Sequence, residues 1–109
     1  MSATRDYTTD EPLRSEIDVL IGLTLLEFGS PWCGYCRRAG PLIEEALTNH
    51  DSVRHIKIAD ASGRRLGRSF RVKLWPTLVF LKDGKEIARL VRPVDAGHIR
   101  SALADIDDV

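Results

Sequence analysis

Apolar positions along the chain change period from one segment to the next. Leu13, Ile17, Leu20 and Ile21 recur at helical spacing and end near Gly22; Asp10 or Thr9 suits the cap and Pro12 the first turn. Leu23 to Phe28 is a continuous apolar run broken only by Glu27, the pattern of a central strand covered on both faces. From Cys36 to about Asn49 the pattern is helical again, with Ala39, Leu42, Ile43, Ala46 and Leu47 on one side. Pro41 falls inside that helix, where its missing donor predicts a kink. Val53 to Ile58 reads as a strand, and Ser62 to Phe70 as a short helix carrying Leu66 and Phe70 at i,i+4. Thr77 to Leu81 and Glu86 to Val91 are strands joined by Asp83-Gly84, a strong hairpin turn. Pro93 stops the second of them, and Asp95 caps a last helix with a stripe of Ile99, Ala102, Leu103 and Ile106. Residues 1–9 are polar and read as a loose segment with a short strand near Tyr7.

Parallel crossovers followed by an antiparallel hairpin predict an α/β fold: a mixed central β-sheet flanked by helices on both faces. A length of 109 residues without repeat or linker predicts a single domain over residues 1–109. The 16 basic and 16 acidic residues cancel, so no global field draws the chain to nucleic acid or membrane. Arg64, Arg65, Arg68 and Arg71 read as a solvated helix face, with no nucleic-acid-binding motif around them. The apolar stretch Val19 to Leu26 is too short, and too interrupted by Gly22 and Glu27, to span a bilayer. Its acidic upstream flank has the wrong sign for a targeting segment, so a cytoplasmic location is expected.

The chemistry lies where the first strand hands over to a helix, at Cys33-Gly34-Tyr35-Cys36, which contains both cysteines of the chain. Two cysteines are too few for a secreted disulfide framework, and this spacing points to redox or metal chemistry. A thiol at the first turn of a helix meets unpaired N–H groups and the positive end of the dipole, which favour the Cys33 thiolate. Cys36 lies one turn further on the same face, placed to attack a disulfide formed by Cys33. His50 and His55 complete a zinc-like spacing, but a helix over residues 36 to 50 holds its ends ~21 Å apart. Zinc needs every ligand within about 2.3 Å of one point, so no metal is expected. His50, His55 and His98 read as solvated or structural.

Trp32-Cys33-Gly34-Tyr35-Cys36 resembles the site of the thioredoxin family, Trp-Cys-Gly-Pro-Cys, and the likeness runs from about Leu23 to the C-terminus. Pro41 matches the proline that kinks the family's active-site helix, Trp75-Pro76-Thr77 its cis-proline loop, and Asp83-Gly84 its hairpin. Glu27 stands at the family's buried aspartate and Lys57 at its buried lysine. The resemblance implies the thioredoxin fold and a protein-disulfide oxidoreductase in which Cys33 is the nucleophile and Cys36 the resolving thiol. Glu27 would be the candidate general base on Cys36, with Lys57 tuning it. Trp32, Gly34, Tyr35, Trp75, cis-Pro76, Thr77 and Arg92 would bind substrate. No cofactor is implied. The implied partners are disulfide-containing proteins and a flavoprotein of the thioredoxin reductase type, and the chain would act as a monomer.

Three residues depart from the family pattern: Tyr35 replaces the inter-cysteine proline, Trp75 a smaller aliphatic residue, and Arg92 a glycine of the substrate groove. Tyr35 offers a backbone N–H that proline lacks, which predicts a couple less reducing than the roughly −270 mV of a typical thioredoxin. It also resembles the tyrosine of glutaredoxin sites, so a glutathione-dependent enzyme is one rival reading. Against that, no glycine pair follows the Pro76 strand. The other rival is a thioredoxin-fold binding or chaperone module with a vestigial dithiol.

Overall fold

The computed structural model describes residues 7–8, 10–62 and 64–108, and its apolar segments close the two sides of a four-stranded sheet. The elements are α1 (Arg14–Asp18), β1 (Leu23–Gly29), α2 (Gly34–Leu47), β2 (Arg54–Ala59), α3 (Arg65–Ser69), β3 (Thr77–Lys82), β4 (Lys85–Val91) and α4 (Ala96–Asp108). The sheet order is β2-β1-β3-β4, with β2 parallel to β1 and both other pairings antiparallel. This is the mixed sheet that the order of elements implies.

Alternation along the strands assigns the two cores. Leu25, Leu78 and Phe80 face α2 and α4, meeting Ala39, Ile43, Ala46, Ile99, Leu103 and Ile106. Leu26, Phe28, Val79 and Leu81 face the other way, onto Ile17, Leu66 and Phe70. Each fully buried Leu, Ile or Phe contributes about 1.5–3 kcal/mol, so neither helical layer is dispensable.

The first helix is shorter than its apolar spacing suggests. It covers only Arg14–Asp18, and Leu13 and Ile21 are exposed rather than part of a buried stripe. The hairpin turn accounts for the early stop. Gly22 N–H donates to Asp83 Oδ1 at 2.8 Å, Asp83 N–H returns to the Gly22 carbonyl at 2.9 Å, and Gly84 backs onto Asp18. At φ +80 and against the Asp18 carbonyl, Gly84 has room for no side chain. Docking on this turn draws the chain away from the helical path. The helix expected over residues 62 to 70 likewise contracts to Arg65–Ser69, where Leu66 N–H donates to Glu11 Oε2 at 2.9 Å. The strand expected near Tyr7 is a single bridge between Thr8 and Ile58. The rest of the segment expected to be loose, including Thr9 as a cap, lies outside the described residues, as does Gly63.

Candidate active site

Cys33 is the N-cap of α2, which starts at Gly34 rather than at Cys36. With φ −88 and ψ 120 its backbone is still extended, so its sulfur turns back and accepts the Cys36 N–H at 3.3 Å. Burial pushes the Cys33 thiol up, but that is outweighed by hydrogen bonds from the Cys36 thiol and from the Cys36 and Tyr35 N–H groups, and by the Arg92 charge. The net shift is downward, toward thiolate. Cys36 is 3% exposed; burial and its hydrogen bond to Cys33 push its thiol up to about 11. One sulfur is therefore poised to attack and the other is held protonated beneath it.

The facing wall is the loop before β3, where the Trp75–Pro76 bond is cis. The Trp75 carbonyl lies 3.8 Å from the Cys33 sulfur and accepts Arg92 Nε at 2.9 Å. Trp75 Nε1 donates to Asp60 Oδ2 at 2.8 Å, and Asp60 N–H donates to the Gly29 carbonyl, so the indole is tied to the end of β1. Thr77 is buried, its hydroxyl donating to the Leu74 carbonyl at 2.6 Å. Arg92 sits at φ +52, a left-handed conformation easiest for glycine, and its N–H donates to the Pro76 carbonyl at 2.9 Å. Its guanidinium lies 3.9 Å over the Tyr35 ring. Trp32, 86% exposed, and Gly34 stand at the rim.

Beneath Cys36 the sheet comes very close. A Cβ on Gly29 would lie 2.7 Å from the Cys36 sulfur and 2.8 Å from the Tyr7 hydroxyl, so only glycine fits there. The Tyr7 hydroxyl hydrogen-bonds Cys36, and burial, with the charge of Glu27 next, drives the Tyr7 phenol upward and keeps it protonated. The Lys57 ammonium lies 4.5 Å over the Tyr7 ring. A cavity of about 490 Å³ beside Cys36 is lined by Tyr7, Ser30, Pro31, Arg37, Gly40 and Lys57. Glu27 is 1% exposed and faces Lys57 in the β1–β2 register, and its Oε1 accepts His55 Nε2 at 2.8 Å.

The structure thus gathers Cys33, Tyr35, Trp75, Pro76 and Arg92 around one sulfur, and places Glu27 and Lys57 on the sheet behind the other. Sequence reasoning missed three contributors. His55 was legible: two residues before Lys57 on one strand, it must share that residue's face. Asp60 and Tyr7 carried no such signal, because their partners lie in other segments. Among the described residues, no three His, Cys, Asp or Glu side chains cluster as a metal site, and no helix is long and apolar enough to cross a membrane.

The thioredoxin family model matches residues 6–105. Thioredoxin 1 of Synechococcus elongatus is 31% identical over 94 residues, which cover 85% of this chain and 83% of that protein. A TPR repeat-containing thioredoxin of Arabidopsis thaliana is 32% identical over 82 residues; the match covers 75% of this chain but only 21% of that longer relative. Among solved structures, thioredoxin 2 of Pseudomonas aeruginosa in its reduced form superposes with a TM-score of 0.85. It is 49% identical, and the match covers 99% of this chain and 100% of that one.

Proposed function

The chain belongs to the thioredoxin family of thiol–disulfide oxidoreductases, and from that premise we propose that it reduces disulfides in protein substrates through Cys33 and Cys36. The observation that carries this reading is the opposed state of the two thiols: Cys33 favoured as thiolate at the rim, Cys36 buried and held protonated one turn below. The Cys33 thiolate attacks one sulfur of the substrate disulfide, forming a mixed disulfide and expelling the other sulfur as a thiolate that takes up a proton. Loss of the Cys36 proton then lets that sulfur attack Cys33, releasing the second substrate thiol and leaving a Cys33–Cys36 disulfide. Two electrons pass to the substrate in each cycle.

Glu27, joined to His55 and facing Lys57, is the candidate acceptor of the Cys36 proton. Trp32, Gly34, Tyr35, Trp75, Pro76, Thr77 and Arg92 form the surface against which the substrate lies. Backbone groups of the Pro76 loop are the elements that pair with an extended substrate segment. The dithiol is returned by a flavoprotein reductase that consumes NADPH, so the chain itself needs no organic cofactor. We take it to act as a monomer in electron transport and redox homeostasis, and in the cytoplasm; the compartment is favoured because both cysteines of the sequence form the Cys33–Cys36 pair and none is left for a structural bridge.

Insulin reduction with wild type and Cys33→Ser tests the activity. Turnover in wild type and its loss in the variant are expected; equal, negligible rates would favour a binding module. Running the assay with thioredoxin reductase and NADPH against glutathione alone separates this reading from a glutaredoxin-like one, the first being expected to sustain turnover.

A further inference from the structure

Two guanidinium groups meet on Tyr35. Arg92 reaches it from the turn after β4 at 3.9 Å from the ring centre, and Arg38 from α2 at 5.5 Å. With Leu42, Pro93 and Val94 these residues line a cavity of about 210 Å³. What sets this pair apart is that both cations converge on one ring at the lip of one cavity. Arg14, Arg64, Arg89 and Arg100 each lie within 4 Å of a carboxylate. Neither Arg38 nor Arg92 has such a partner among the described residues. A guanidinium stacked over a ring still presents its in-plane N–H donors outward, in the fork that suits a carboxylate. Val94, 79% exposed, together with Pro93 and Leu42 supplies an apolar wall for a short aliphatic stem.

The cavity is also tied to the reacting sulfur. Cys33 and Arg92 meet on one carbonyl, that of Trp75, at 3.8 and 2.9 Å. An extended peptide advances about 3.3 Å per residue, so a group anchored by Arg92 belongs to the substrate within about two residues of its reacting cysteine. We propose that the Tyr35–Arg38–Arg92 cavity is a subsite for an acidic side chain, aspartate or glutamate, flanking the disulfide of the substrate polypeptide. This deepens, and rests on, the reading that Cys33 attacks protein disulfides. Two cations with no carboxylate beside them among the described residues, set over an apolar wall, match an anion on a methylene stem, and they repel a basic residue at the same place.

The test is a set of disulfide-bridged peptides that differ only in carrying Glu, Gln or Lys at each of the two positions on either side of the attacked cysteine. In the wild-type chain kcat/KM should favour Glu over Gln by about fivefold at one of these positions, the size of a favourable partly exposed ion pair. The preference should shrink as ionic strength rises. Arg38→Gln should reduce the Glu-to-Gln ratio, and Arg38→Glu should turn the preference toward Lys. Equal rates for the Glu, Gln and Lys peptides in wild type, at every position, would overturn the subsite while leaving the reductase reading intact. Faster reduction of free glutathione disulfide than of any Glu peptide would overturn it too, by assigning the cations to glutathione carboxylates. Failure to reduce any peptide, with insulin also untouched, would instead sink the reductase reading. The wild-type comparison needs no variant, so misfolding of an arginine mutant leaves the question decidable.

Discussion

At the scale of single residues, what separates the two sulfurs is the set of donors each one meets. Cys33 collects N–H groups and the Arg92 charge, whereas Cys36 is buried and shares its hydrogen bonds with Cys33 and Tyr7. Brief iodoacetamide treatment near neutral pH should therefore label Cys33 first, with its rate half-risen at a pH below that of an ordinary thiol. Cys36 labelling should grow only as the pH approaches about 11. Peptide mapping that finds Cys36 modified first would refute this. Tyr7 lowers the Cys36 thiol through its hydroxyl, so Tyr7→Phe should leave Cys36 harder to deprotonate. Loss of one hydrogen bond, about 0.5–1.5 kcal/mol, should slow resolution of the mixed disulfide by roughly twofold to tenfold. Rapid-quench trapping would show that intermediate accumulating. His55 is the partner seen on a carboxylate that is 1% exposed. Its replacement by Ala strands a buried acceptor and should cost about 1–3 kcal/mol in denaturant melts, against little change for the exposed His98. Alternation along β2 puts His55 on the face of Lys57, a signal the sequence carries though the reading of His55 as solvated or structural did not use it; the reach of Glu27 across to it was not visible in the sequence.

Elements whose boundaries were set by local chemistry were legible, and those set by distant partners were not. Asp95 caps α4 through the His98 N–H at 2.9 Å, and Asp83-Gly84 turns the hairpin, both from residues adjacent in sequence. By contrast the bounds of α1 and α3 coincide with contacts to distant segments. Asp83 holds Gly22 just beyond α1, Glu11 takes the Leu66 N–H in the first turn of α3, and Arg14 at the start of α1 bonds Ser69 at the end of α3. Arg14, which periodicity alone makes a surface residue, lies 3.7 Å over the Phe70 ring and donates to the Ser69 carbonyl at 2.8 Å. The start of α2 combines both kinds of cause. Its N-cap is the reactive cysteine, so the geometry of the first turn and the stability of the thiolate are one property. Tyr35 contributes a backbone N–H to the Cys33 sulfur that proline would lack. Tyr35→Pro should therefore raise the Cys33 thiol, destabilise the reduced form and move the couple in the reducing direction, each 30 mV being about 1.4 kcal/mol. Equilibration of both proteins in one glutathione buffer gives the comparison. An unchanged or more oxidising variant would show that this donor does not set the potential.

At the scale of the whole molecule, the sheet separates two cores, and only one of them bears directly on the helix that carries Cys36. Apolar patterning foretold both layers, since each strand of β1 and β3 type is apolar on both faces. It could not say how either layer is coupled to the site. The α2 helix packs its Ala39, Ile43 and Ala46 into the core that α4 closes with Ile99, Leu103 and Ile106. Phe70 and Leu66 seal the opposite face, with the sheet between them and α2. Leu103→Ala should cost about 2–5 kcal/mol and Phe70→Ala about 3–5 kcal/mol of global stability. Their effects on Cys36 should differ, because buried groups become reactive through the least costly local opening as well as through global unfolding. A cavity under α4 lowers the cost of lifting α2 away from the sheet, whereas a cavity under α3 leaves that contact intact. At matched loss of global stability, set by adding denaturant to the milder variant, Cys36 should therefore alkylate faster in Leu103→Ala than in Phe70→Ala. Amide exchange along α2 should follow the same order. Equal Cys36 rates at equal stability would mean that the sulfur is exposed only by unfolding of the whole domain, and that the sheet transmits both cores to the site alike.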